Sequence, residues 1–179
     1  IKPTIGALNR GERQGLSHSH LGVHAGSAQD MWQVAIEIAL RAGGDPGQPG
    51  LYGASVPPAP ARPGRLVVLH GEGWAKTGAA TREAFDRVLA ALRAEDVTIL
   101  EPGAHPLVDA FEAAIGDAMA LTRDICAYEM RWTIENLVDK HPGGISDSLM
   151  ARLRLGRTIT LDAYRDLLRR RAEARARLA

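Results

Sequence analysis

Three histidines stand close together in the segment LSHSHLGVH, at positions 18, 20 and 24. Imidazoles at such spacing suit either a metal or a polar substrate cleft. All three positions are even, so on one strand they share a face, and a His-x-His pair on a strand is a known zinc-binding arrangement. A zinc holds imidazole nitrogen at about 2.0–2.1 Å, whereas alternate strand residues lie roughly 6.6 Å apart. His18 and His20 are therefore within reach of one ion, but His24 joins them only if the chain bends back at Gly22. No Asp, Glu or Cys falls among the three. The expectation is a polar, hydrogen-bonded loop near a surface or a cleft, without metal.

Other stretches carry weaker chemistry. HGEGWAKTG, 70–78, stands where a phosphate-binding turn would stand, between a strand and a helix. It lacks the third glycine of a dinucleotide fingerprint, because position 76 is Lys76. It also lacks the glycine a Walker loop places before Lys-Thr, because Ala75 precedes Lys76. A plain strand-to-helix turn is expected. Cys126 falls on an apolar helical stripe, which favours an inert, buried thiol over a nucleophile. RDLLRRRAEARARL, 165–178, is basic and helical; such a run suits RNA or an acidic partner, and more commonly a solvated face.

The elements that must position these residues follow from periodicity and breakers. Residues 1–24 read as loops with one or two short strands, interrupted by Gly6, Gly11, Gly15 and Gly22. Ser27 and Asp30 form a capping box that opens a helix through about Arg41, with Met31, Val34, Ala35 and Ile38 on its apolar face. Gly43 and Gly44 end it, and a long Gly/Pro connection follows, either a linker or a surface loop. RLVVLHG, 65–71, reads as a buried strand, 78–94 as a helix, and VTILEP, 97–102, as a second strand. That order predicts adjacent parallel strands joined by a helical crossover. One long helix is predicted over about 107–139, with a stripe running Val108, Phe111, Ile115, Met119, Thr122, Cys126, Met130, Thr133 and Leu137. HPGG, 141–144, breaks it, and helices over about 146–155 and 160–178 close the chain, the last capped by Thr160. The fold class is α/β, with helix dominating the C-terminal half.

Composition narrows the functional classes. At 179 residues and 45% hydrophobic content the chain suits one globular domain. A net charge of +1 argues against a nucleic-acid or membrane partner. The single cysteine excludes an intramolecular disulfide and fits a cytoplasmic setting. No apolar run is long enough to span a bilayer, and the first residues do not read as a signal peptide. Lys-Pro-Thr at positions 2–4 reads as the interior of a longer chain.

Four segments, in order, resemble the C-terminal part of an amidase signature enzyme. They are IKPTIGALNRG; HLGVHAGSAQDMWQV; AGGDPGQPGL; and LGRTITLDAYRDLLRRRAEARARL. The resemblance covers nearly the whole chain and rests on the ordered set. It implies part of one α/β domain, a mixed sheet covered by helices, of which residues 1–179 are the C-terminal portion. It implies hydrolysis of a carboxylic amide through a serine acyl-enzyme, with a second serine relaying a proton to a lysine, and no cofactor. In that family the Ser-Ser-Lys triad and its glycine-rich loop precede Lys-Pro-Thr, so no catalytic residue is carried over here, and Lys2 matches the lysine just after the loop. The segment matching 16–24 runs beside the family's active-site cleft, which makes Ser17, His18, Ser19 and His20 substrate-pocket candidates. The family often has Asp in this stretch and Pro after the glycine; Ser19 and Val23 stand at about those places. The implied partners are a small-molecule amide and the N-terminal half of the same domain, with a homodimer left open. Two other readings stand beside the amidase: an amidotransferase A-type subunit that passes ammonia to aminoacyl-tRNA, and a non-catalytic fragment serving assembly or RNA contact.

Overall fold

The computed structural model describes residues 1–11 and 16–177. The chain divides into two compact units, Ile1–Pro60 and Ala61–Ala179, with the division falling inside the predicted Gly/Pro connection. Gly15 and Leu178 lie outside the described residues.

Among its described residues the first unit has a single helix, α1 (Ala28–Ala42). The Ser27 hydroxyl caps it by accepting from the Asp30 backbone N–H at 3.0 Å, as the capping pattern predicts. Gly43, at φ 68°, turns the chain away at the other end. The buried face is Ala35, Ile36 and Ala39 rather than the predicted stripe, and Val34 is exposed. No strand forms among the described residues of 1–24, a correction to the one or two expected there. The frequent glycines leave the segment to turns and to lacing by single hydrogen bonds. Residues 6–9 are stitched to 43–51 by Asp45 N–H to Gly6 O (2.9 Å), Asn9 N–H to Gly43 O (2.9 Å) and Leu51 N–H to Ala7 O (2.7 Å). A Cβ on Gly44 would lie 2.9 Å from the carbonyl oxygens of Gly6 and Gln48, so only glycine fits.

The second unit contains the predicted strand–helix–strand. β1 (Arg65–Val67) pairs in parallel with β2 (Thr98–Leu100), Leu66 opposite Ile99, and α2 (Ala79–Ala94) connects them. β1 is exposed along its length, which corrects the expectation of a buried strand. Among the described residues the sheet has two strands, with α2 packed against β2, and the residues flanking the strands, Val68 and Val97, are buried.

The predicted single helix over 107–139 is two: α3 (Pro106–Ile115) and α4 (Ala118–Lys140), separated at Gly116–Asp117. The apolar period carries across that break, so spacing alone did not reveal it. α5 (Asp147–Thr158) and α6 (Leu161–Ala176) follow, capped by the Ser146 and Thr160 hydroxyls. α4 packs against both α5 and α6, and its buried residues, Leu121, Ile125, Ala127 and Ile134, serve two faces. The predicted stripe runs between them, so Cys126 and Met130 are half-buried and Met119 is exposed. Leu121, Ile125 and Leu167 form the core of the α4–α6 contact, flanked by Ile159, Tyr164 and Leu168.

Candidate functional site

The histidine segment is held against the start of the chain by backbone pairing. Ile1 and Val23 exchange both hydrogen bonds, Ile1 N to Val23 O at 2.8 Å and Val23 N–H to Ile1 O at 3.0 Å. The two stretches approach so closely that a Cβ on Gly22 would sit 2.9 Å from Ile1 O. One step along, His20 Nδ1 lies 3.2 Å from Pro3 O. A carbonyl only accepts, so Nδ1 carries the proton and Nε2 is left as the remaining ring nitrogen.

Residues 16–19 form a turn closed by Ser19 N–H to Leu16 O at 3.1 Å. Arg10 grips that turn from beneath. Its Nη1 donates to Leu16 O (2.8 Å) and Ser19 O (3.0 Å), while its Nε donates to Asp45 Oδ2 (2.6 Å). The Arg10 backbone N–H donates to Asp45 Oδ1 at 2.9 Å. That backbone bond holds the Asp45 carboxyl below the usual carboxylate range; partial burial opposes it, and the guanidinium adds to it. The Asp-Pro loop after α1 thus anchors the turn through one arginine.

A hollow of about 460 Å³ results, lined by Ile1, Lys2, His18, His20, Gly22 and His24. Of the residues expected to form a pocket, His18 and His20 line it, while Ser17 and Ser19 sit half-buried in the adjoining turn. His24 returns to the same hollow because the chain bends at Gly22. The sequence reading gives Lys2 only as the lysine after the family's loop, and assigns Arg10 and Asp45 no role. Arg10 and Asp45 both lie within motif segments, but their pairing spans 35 positions and has no local signal. Among the described residues, no group of three or more His, Cys, Asp or Glu side chains is arranged to hold a metal ion.

The other chemical candidates resolve into structural roles. The backbone N–H groups of His70 and Gly71, which a phosphate would need, both donate to the Glu112 carboxylate of α3. Glu72 in the same turn accepts from Met119 N–H at the start of α4 (3.1 Å), so the turn is clamped by two internal carboxylates. The Cys126 thiol is pushed up by burial, with the Glu129 charge adding to it, which suppresses the thiolate. On α6, Arg169 pairs with Asp166 (2.6 Å) and Glu173 (2.5 Å), and Arg170 pairs with Asp117. Those arginines are engaged with the protein's own carboxylates. Among the described residues, no helix is long and apolar enough to cross a membrane.

No family model and no curated protein matches this chain. Among solved structures, the crystal structure of an amidase superposes with a TM-score of 0.68 at 24% sequence identity. The match covers 99% of this chain and 36% of the amidase, so the chain spans about a third of that protein's length. The likeness is one of fold.

Proposed function

We propose that this chain is the C-terminal portion of an amidase signature-type domain whose whole protein hydrolyses a linear carboxylic amide. The observation that carries the reading is a fold match to an amidase over 99% of the chain, supported by four motif segments in the family's order. In this reading the two parallel strands belong to a larger mixed sheet, completed by the N-terminal half of the domain. That half supplies the serine nucleophile, the relaying serine and the lysine base. The nucleophile's oxygen adds to the amide carbonyl as its proton passes to the lysine. The leaving nitrogen takes that proton, and water then releases the acid from the acyl-enzyme. Residues 16–24 face the cleft and contribute Ser17, His18, Ser19 and His20 to the substrate pocket. The setting is cytoplasmic.

The test is activity of the whole protein against simple aliphatic and aromatic amides, together with labelling by a fluorophosphonate serine probe. Turnover with the label on a serine upstream of residue 1 is expected. The polypeptide of residues 1–179 alone is expected to show neither, because an acyl transfer needs its nucleophile within hydrogen-bond reach of its base. Robust turnover by residues 1–179, with a labelled serine inside that segment, would overturn the placement. A whole protein that hydrolyses no amide and takes no label would overturn the amidase reading.

A further inference from the structure

The apolar stripe that periodicity places on α4 is not the face that α4 buries. Leu121 and Ile125 pack against Leu167 of α6, and Ala127 meets Gly156 of α5. Met119, Thr122, Cys126, Met130, Thr133 and Leu137 follow one another at steps of three and four residues. They fall within about 80° of one another round the helix. None of the six is fully buried: Met119 is 69% exposed and Leu137 38%, both threonines are exposed, and Cys126 and Met130 are half-buried. Arg152 of α5 reaches one edge of the row, its Nη1 3.6 Å from Met130 Sδ. Glu129, at the other edge, accepts from the Tyr164 hydroxyl at 2.7 Å. A helix face built for water looks different in this protein: the outer stripe of α6 carries Asp162, Arg165, Asp166 and Arg169, which pair along the helix. The open row of α4 carries no charge over roughly 27 Å of helix.

Single apolar side chains on a surface are ordinary, whereas an ordered apolar row marks a contact. A row about 80° wide is the seam of a helix pair, narrower than the face a helix turns to a whole core. The two threonines are small enough to let a second helix approach closely. We propose that this row seats one α-helix from the part of the domain upstream of residue 1, apolar along the side it turns to α4. The inference rests on the reading of this chain as the C-terminal portion of a longer domain, because the fold match covers 99% of this chain and 36% of the amidase. It adds a second place where the two portions meet, separate from the shared sheet. A long, uncharged row offers a small molecule nothing to orient it, whereas a helix matches it in length and in width. With that helix in place, α4 is enclosed by α5, α6 and its new neighbour.

The experiment places a photo-crosslinking residue in the row of the whole protein: Met119→benzoylphenylalanine, irradiated and mapped by mass spectrometry. The dominant cross-link is expected to run to a peptide upstream of residue 1. Irradiating a mixture of ¹⁴N- and ¹⁵N-labelled protein identifies a second copy by cross-links of mixed label. Mixed-label cross-links, cross-links within residues 1–179 only, or none at all would each overturn the proposal. A second measurement needs no substitution: hydroxyl-radical oxidation of Met119 in the wild-type whole protein. The rate should be about tenfold lower in the native protein than after unfolding in urea, and a native rate within about a factor of two of the unfolded one would mean that the row stays open to water and would sink the proposal. Both readouts are independent of turnover. Amide hydrolysis without protection of Met119 overturns the helix seat alone. An upstream cross-link in a protein that hydrolyses no amide overturns the amidase reading and leaves the seat standing.

Discussion

The two compact units are held together by different physics. In residues 1–60 the organising contacts are directed and polar: the Ile1–Val23 exchange, the lacing of 6–9 to 43–51, and the Arg10–Asp45 clamp on the histidine turn. In residues 61–179 the densest packing is apolar, α4 against α5 and α6 around Ile125, Ile134, Leu153 and Leu167. The contrast follows from what each must present. The histidine segment, 16–24, buries only Val23 of its own side chains, so its shape depends on hydrogen bonds and on glycines that let backbones touch. A helical bundle gains its shape from burial, which is non-directional and tolerates a solvated, charged outer face.

Removing apolar volume from the second unit should have the largest effect. Ile125 is fully buried at the α4–α6 contact. Ile125→Ala is expected to cost about 4 kcal/mol in a urea titration followed by helix circular dichroism. A change below 1 kcal/mol would mean that burial does not hold this region.

Gly156→Ala tests the other face of α4. An added Cβ would fall 2.9 Å from the Ala127 carbonyl carbon and closer still to its oxygen, forcing α5 away from α4. The expected loss is about 2–3 kcal/mol. Gly26→Ala, in open space, should be nearly silent by comparison.

Arg10→Ala addresses the first unit. It frees Leu16 O and Ser19 O and leaves Asp45 without its partner. The Ser19 amide should exchange hydrogen roughly tenfold faster, while amides of α4–α6 keep their wild-type rates. Uniform acceleration across both units would mean that the Arg10 clamp is not local to the first unit.

The smallest effect is a difference in pH response. The Asp45 carboxyl is depressed, so the stability it contributes is present above the ordinary carboxylate value of about 4 and is lost as pH falls through its lower native value. Tyr164 behaves in the opposite sense. Burial, with its hydrogen bond to Glu129 (2.7 Å) adding to the effect, pushes its phenol up to about 12. Its contribution is intact below the ordinary value of about 10 and declines as pH rises through about 12. Acid should therefore loosen the histidine turn first, and alkali the α4–α6 contact first. Phenol absorbance and site-resolved hydrogen exchange separate the two.

Part of this molecule was legible in local pattern. Ser27 with Asp30, and Thr160, announced two caps, because a cap works over a few residues; the Gly/Pro stretch, which reads equally as a linker or as a surface loop, holds the boundary of the two compact units. The parallel pairing of 65–67 with 98–100 was legible too, since a helix between two short apolar runs leaves few alternatives. The break at Gly116 was not, because apolar spacing continued through it. The face of α4 was not, because a helix packed on two sides has no single stripe. The cluster of His18, His20 and His24 was visible as residue types along the chain, whereas the hollow they share with Lys2 and the Arg10–Asp45 clamp were not.

By itself, then, the sequence determined the caps, the helix-rich C-terminal half and the cluster of imidazoles, all of which depend on neighbours along the chain. Only the tertiary structure decided that Lys2 joins His18, His20 and His24 around one hollow, that Glu112 fills the turn at His70–Gly71, and that Asp45 fixes Arg10 beneath the turn. The residues so joined stand 16 to 42 positions apart in the chain. No local preference encodes them; they form only when the intervening chain has folded and brought each donor to its acceptor.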